Sequence, residues 1–139
     1  MKQFFGEIYK KTNGRMLYDI TSELLDWVSS QGIVNGLLTI NIQHTSSSLL
    51  VNENYDQDVL TDLENFFSKL VLDHDSLYIH TSEGSDDMPA HIRTALTQTN
   101  LSFPVKNKKI TLGQWQGIFI FEHRYNSFNR KVCLHLIGE

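Results

Sequence analysis

Two histidines bracket three carboxylates within residues 80–91 of this chain. The carboxylates are Glu83, Asp86 and Asp87, and the imidazoles are those of His80 and His91. A turn here needs only the glycine and the proline of the segment, and a helix start needs one Asp or Ser. The surplus of imidazoles and carboxylates therefore indicates a metal site or an acid–base site.

His80 and His91 are candidate metal ligands. They are eleven positions apart, so they meet only if the intervening loop folds back, which its glycine and proline permit. Two neutral imidazoles and one ionised carboxylate form a ligand set that binds zinc or a similar divalent ion. The spacing matches no standard zinc signature, so magnesium and zinc both stay open.

The adjacent Asp86 and Asp87 allow two interpretations. Helix capping and the helix dipole account for one of them. Two neighbouring carboxylates repel one another, and a bound cation would relieve that repulsion. We therefore expect one aspartate to act as a ligand or a base.

His44 ends an apolar row on a predicted strand. Leu38, Ile40 and Ile42 alternate with polar residues, so they share one strand face with His44. A core-edge histidine bonded to a neighbour fits this position, and so does a site residue. Four hydroxyl residues follow at 45–48, and such groups can orient an imidazole or hold phosphate oxygens.

Polar residues also flank other predicted elements. Asn52 and Glu53 precede a helix and could face the same pocket as the strand-end histidine. Trp115 and Gln116 lie between glycines, where the indole could cover a heteroaromatic ring or simply pack in the core. Glu122 ends another apolar row, so a carboxylate lies at the end of a second predicted strand, as His44 does at the end of the first.

These residues are positioned by strands at both ends of the chain and helices between them. Apolar periodicity and turn residues predict strands at residues 4–9, 16–20, 37–44, 77–80, 101–105, 110–112, 117–122 and 131–137. The same signals predict helices from about residue 21 to Gly32, at 55–70 and at 90–96. Asn13-Gly14 predicts a hairpin that joins the first two strands, and Lys106-Asn107-Lys108-Lys109 predicts an exposed hairpin turn. The pattern indicates an α+β domain with a mainly antiparallel sheet.

Composition predicts one domain, residues 1–139, with 40% hydrophobic and 11% aromatic residues. The only cysteine, Cys133, cannot form an internal disulfide, and no signal segment is evident, so we expect a cytoplasmic protein. No apolar run is long enough for a bilayer. The net charge of -4 and the lack of a basic face interleaved with aromatics argue against nucleic-acid binding. A small molecule is the expected partner.

Three motifs follow one another along most of the chain. They are His44-Thr45-Ser46 with Asn52-Glu53, then Glu83-Gly84-Ser85-Asp86-Asp87-Met88-Pro89-Ala90-His91, then Leu112-Gly113-Gln114-Trp115-Gln116-Gly117-Ile118 followed by Glu122-His123-Arg124. Together they resemble the YjbQ-like family. Gln114 departs from the family pattern, which usually has threonine there.

The resemblance implies an α+β protein with a β-sandwich core and two to three helices that assembles as a homotrimer. It also implies secondary thiamine-phosphate synthase activity, which joins a hydroxymethylpyrimidine pyrophosphate to a thiazole phosphate and releases pyrophosphate. A divalent cation would neutralise the leaving group. On this basis we assign catalytic roles to Glu53, Asp87 and Glu122, substrate-binding roles to Thr45, Asn52, Trp115 and Gln116, and metal-binding roles to His44, His80 and His91.

Two other functions stay open because few Lys and Arg residues lie near the motifs to bind two phosphorylated substrates. One is a metal-dependent hydrolase in which a carboxylate activates water. The other is a noncatalytic protein that binds a small molecule or a metal.

Overall fold

Two antiparallel sheets and three helices form the part of the chain that the structure, a computed structural model, describes, residues 1–74 and 76–139. The strands are β1 (Lys2–Asn13), β2 (Met16–Asp19), β3 (Gly36–Ile42), β4 (Ser47–Glu53), β5 (Asn100–Lys106), β6 (Lys109–Ile110), β7 (Gln116–Glu122) and β8 (Ser127–Gly138). The helices are α1 (Thr21–Ser30), α2 (Gln57–Leu70) and α3 (Asp87–Leu96). This architecture confirms the predicted α+β class with mainly antiparallel sheet.

The two sheets enclose the main core. The larger sheet has the order β1-β8-β3-β5-β6 and the smaller sheet the order β2-β7-β4. Leu38 and Ile40 of β3 belong to the same buried cluster as Ile118 and Ile120 of β7. Leu24 of α1 joins that cluster. The apolar residues that alternate along β3 thus face the core, as predicted.

Helix α2 packs on the outer face of the smaller sheet. Leu60 forms a second buried cluster with Leu17 of β2 and with Phe119 and Phe121 of β7. Strand β7 is therefore buried on both faces, which explains its unbroken apolar run. The same strand ends at Glu122, so its carboxyl end lies within the protein.

The predicted hairpin between the first two strands is wrong. The chain does bend directly after Asn13, at Gly14 and Arg15, and Gly14 has a φ of +94°. The turn, however, sends the chain from one sheet to the other, because β1 pairs with β8 over twelve residues while β2 pairs with β7. β2 instead forms an edge of the smaller sheet beside β7, while β1 forms an edge of the larger sheet beside β8.

One predicted strand is absent, and one observed strand was not predicted. Residues 77–80 form no strand, and their apolar side chains face outward, with Leu77 83% and Ile79 97% exposed. Strand β4 was not predicted, since its polar residues 47 and 48 do not look like a core strand. The turn of β5 and β6 is confirmed, with Asn107 and Lys108 both at positive φ as such two-residue turns require.

Within the described ranges, no helix is both long and apolar enough to cross a membrane.

Candidate metal centre

His80, Asp87 and His91 lie together at the start of α3. Asp87 and His91 are four residues apart on the helix, so they share one face, and His80 comes from the preceding loop. Asp87 Oδ2 is 2.7 Å from His80 Nε2 and 3.2 Å from His91 Nε2. One ligand atom from each residue lies within 4.8 Å of the others. The loop thus folds back, which brings His80 and His91 together as predicted.

The backbone fixes the protonation pattern of His91. Its Nδ1 lies 3.0 Å from the carbonyl oxygen of Thr45, and a carbonyl only accepts hydrogen bonds. Nδ1 therefore carries the proton, which leaves a lone pair on Nε2 of the neutral ring. Histidines that bind metals commonly donate their other N–H to a backbone carbonyl in this way.

Arg124, which follows β7, holds the two aspartates in place. Its Nη1 donates to Asp87 Oδ1 at 2.5 Å, and its Nε donates to Asp86 Oδ2 at 3.0 Å. The third nitrogen donates to the Glu83 carbonyl at 2.9 Å. The Oδ1 atom of Asp87 is thus occupied by the guanidinium, and Oδ2 faces the two imidazoles.

The same contacts keep Asp87 ionised. Burial raises the pKa of this carboxyl, but the His80 hydrogen bond and the charge of Arg124 outweigh burial, and the pKa lies below its ordinary value. An ionised carboxylate is the form that binds a cation. The Asp86 pKa is also lowered, because the Tyr125 N–H and Arg124 outweigh the effect of burial.

A second arginine anchors the chain that leads to His80. Arg15 forms a two-armed ion pair with Asp73, at 2.7 and 3.0 Å. The Tyr125 hydroxyl also donates to Asp73, and the Arg15 guanidinium lies 4.3 Å from the centre of the Tyr125 ring. These contacts hold the start of the loop against the residue before β2 and against the segment after β7.

A cavity of about 350 Å³ adjoins the cluster. Its lining includes His80, Thr81 and Ser85, with Gly84 at φ +108°. A side chain at Gly84 would meet the Asp86 carboxylate at 3.2 Å. The glycine therefore serves both the turn and the close approach of the loop to the site. The volume suits a small molecule.

His44 lies outside the His80–Asp87–His91 cluster. Its Nε2 accepts a hydrogen bond of 2.9 Å from the Lys131 backbone N–H. Its pKa is lowered by burial and by the charge of Arg130. The neighbouring Thr45 meets the cluster through its carbonyl.

Four of the candidate residues lie at the other end of the smaller sheet. Asn52 and Glu53 pair with Gly117 and Gln116, whereas Ser47 at the near end of β4 pairs with the strand end of β7. At about 3.3 Å per residue, β4 separates the two ends by about 20 Å. Trp115 stacks edge-on against Tyr55, with ring centres 4.8 Å apart. Within one chain, this end of the smaller sheet does not reach the His80–Asp87–His91 cluster.

Glu122 is buried in a network of hydrogen bonds. Arg130 donates to both of its oxygens, at 2.5 and 2.6 Å. The Thr12 hydroxyl donates at 2.7 Å and the Arg124 N–H at 3.1 Å. A carboxylate with four donors and no exposure holds the β7–β8 region together. Its catalytic role stays a prediction.

The sequence assigned no role to Arg124, Arg130 or His123, while Ser48 belongs to the run of hydroxyls that could orient an imidazole. Ser48 Oγ is 2.8 Å from His123 Nε2, a distance typical of a nucleophile and its base. Both side chains are fully buried, and burial and Arg93 hold the His123 pKa well below its ordinary value. No substrate reaches a hydroxyl in this position. The only hint of these buried contacts in the sequence is the group of ionisable residues at 122–124, directly after an apolar strand.

Solved structures share the whole fold. A YbjQ-like protein of unknown function from Sulfolobus solfataricus superposes with a TM-score of 0.91, at 26% identity and 99% coverage of both chains. The fold thus defines an α+β protein of the YjbQ type.

Relatives and a family model agree. The model for UPF0047 protein YjbQ-like sequences matches residues 7–139. The chain is 46% identical to a UPF0047 protein of Synechocystis, over 92% of this chain and 87% of the relative. It is 41% identical to UPF0047 protein YjbQ of Escherichia coli O157:H7, over 94% and 99%. The chain belongs to the YjbQ-like UPF0047 family.

The Glu122 network generates a prediction about stability. Glu122→Gln should lower the free energy of unfolding by about 3–5 kcal/mol, because it leaves the buried Arg130 without a counter-charge. Urea denaturation measures the loss. Glu7→Gln is the matched control, since it breaks an exposed pair with Lys131 and should change little. A Glu122→Gln protein of normal stability would contradict the structural role.

Proposed function

We propose that this protein is a metal-assisted enzyme and that His80, Asp87 and His91 hold its divalent cation. The observation that carries the proposal is the approach of His91 Nε2 to Asp87 Oδ2, at 3.2 Å. With Nδ1 bonded to a carbonyl, the neutral ring presents a lone pair to a carboxylate oxygen. Two acceptors in this position need a cation or a proton between them.

The donor set favours a transition ion. Two imidazoles and one carboxylate match the ligands of catalytic zinc sites, which keep a further position for substrate or water. Magnesium prefers oxygen ligands and fits this set less well. The Arg124 contact supports the proposal, because it orients Asp87 from outside the ligand set as metal-site carboxylates commonly require.

Metal binding is the first prediction of this proposal. Protein purified without a histidine tag and treated with chelator should bind one zinc ion per chain in calorimetric titration. His91→Ala and Asp87→Asn should each weaken binding by at least about tenfold. The matched control is Asp26→Asn, which alters an exposed carboxylate of α1 outside the cluster. Absence of a stoichiometric ion, or equal loss in the control, would contradict the assignment.

We propose thiamine-phosphate synthase activity as the reaction, on the strength of the family resemblance. The cation would supply neutralisation of the pyrophosphate leaving group. Asp87 and the two imidazoles would fix its position, and Arg124 would hold the carboxylate oriented. The cavity of about 350 Å³ beside His80 offers room for one substrate.

The activity test uses the purified protein with hydroxymethylpyrimidine pyrophosphate, thiazole phosphate and a divalent ion. Thiamine phosphate should form, and His91→Ala should abolish it while Asp26→Asn, a change on an exposed side chain of α1, leaves it unchanged. Hydrolysis of phosphate esters or amides that chelator stops would favour the hydrolase instead. Ligand-dependent thermal stabilisation without any turnover would favour the noncatalytic protein.

We also propose a homotrimer. The outer face of the larger sheet supports assembly, because Phe5 is 75% and Tyr9 is 58% exposed there, and Leu37 of β3 faces the same way. Exposed apolar patches of this kind mark interaction surfaces. Assembly would also let the Trp115 end of one copy approach the metal cluster of another.

Light scattering should give three times the chain mass of 16.0 kDa. If two copies share a site, then mixing unfolded His91→Ala and Trp115→Ala chains and refolding them together should restore part of the activity that each variant lacks. A monomeric mass would contradict the trimer. Mixed trimers without activity would place each site within one chain.

A further inference from the structure

We propose that an open cleft beside His44 is a subsite for a compact oxyanion, a phosphate or a carboxylate group. The cleft has a volume of about 520 Å³. Its walls come from the end of β3, the loop before β4, Thr99 and Arg130. Thr45 connects the cleft to the metal centre, since it lines the cleft while its carbonyl accepts from His91.

His44 presents a hydrogen-bond donor in this cleft. Its Nε2 accepts the Lys131 N–H, so the neutral ring carries its proton on Nδ1. No hydrogen bond of that Nδ1–H occurs within residues 1–74 and 76–139. The backbone thus fixes His44 as a donor, the form in which an imidazole binds an anion without becoming charged.

Arg130 adds a positive group that is already dehydrated. The residue is 3% exposed, and its Nε and Nη2 are bonded to Glu122 and Ser46. Its Nη1 has no hydrogen-bond partner among the described residues, although Arg130 lines the cleft. The Glu122 pair fixes the guanidinium, so an anion would bind to it without ordering a flexible side chain.

The remaining lining suits an anion. It consists of hydroxyl and amide side chains together with Ile42, and no carboxylate is among the lining residues. Thr45 and Thr99 supply hydroxyl donors, while Asn41 and Gln43 supply amide donors. Hydrogen bonds from such donors to a charged acceptor are stronger than neutral ones.

This subsite identifies the substrate class for the proposed function, on which that part of the inference rests. The substrate would carry an anionic group in the cleft and its reacting group at the metal centre. Among the described residues, no cluster of exposed Lys and Arg lies near the motifs, and one buried arginine with fixed neutral donors would take the place of such a cluster.

The test measures binding of inorganic phosphate, and separately of acetate, to chelator-treated protein by calorimetry in a low-salt buffer. Metal-free protein is used so that the metal centre does not contribute. One of the two anions should bind saturably, and the tighter one tells which oxyanion the cleft takes. His44→Gln and Thr99→Val should each weaken binding at least about tenfold. Arg130 stays unchanged because it holds Glu122.

His80→Ala is the matched control. It removes a proposed metal ligand outside the cleft lining, so anion binding to the metal-free protein should stay within about twofold of normal. Loss of binding in His80→Ala with retention in His44→Gln and Thr99→Val would overturn the proposal, as would no saturable binding of either anion. Thr99→Val alters an exposed side chain, which leaves a folded variant if His44→Gln proves unstable. Failure of zinc binding would leave this result unaffected, so the two proposals fail separately.

Discussion

The candidate site depends on one interaction, the contact of the Arg124 guanidinium with the acidic loop. Its three donor nitrogens reach Asp86, Asp87 and the Glu83 carbonyl. A buried guanidinium needs counter-charge and fixed acceptors, and the loop needs an anchor because it has little regular structure of its own. The loop supplies the acceptors that Arg124 needs, and Arg124 supplies the anchor that the loop needs. The orientation of the Asp87 carboxylate toward His80 follows from this contact.

A second buried pair lies on the same connection between β7 and β8. Glu122 and Arg130 belong to these two strands, and Phe128 lies between the two arginines. The Arg130 guanidinium is 4.4 Å from the ring centre and that of Arg124 is 5.6 Å from it. Both distances lie within the range of cation–π attraction, so the ring helps to hold the two guanidinium groups. The connection thus supports the His80–Asp87–His91 cluster and the His44 cleft from one segment of chain.

Local patterns in the sequence predicted much of the fold and the central cluster. Alternation in β3 and helical spacing in α2 reflect burial of one face, so both elements were found. His80, Asp87 and His91 were found because a single short loop contains them. Strand β4 was missed because its buried hydroxyls have partners distant in sequence: Ser48 bonds His123, and Ser46 just before the strand bonds Arg130. Burial of polar groups depends on such partners, and local composition does not reveal them. The hairpin prediction failed for the same reason, because the pairing of β1 with β8 joins the two ends of the chain.

The geometry also shows that neither aspartate caps α3 with its side chain. Asp86 occupies the N-cap position of α3, yet its side chain makes no capping hydrogen bond. Its carboxylate accepts instead from Arg124 and the Tyr125 N–H. Asp87 lies in the first helical turn, where the dipole favours a negative charge, but its Oδ2 is directed to two imidazoles. Capping therefore accounts for neither carboxylate. A helix start stabilises Asp87 as an anion without using its oxygens, so Oδ2 stays directed to His80 and His91.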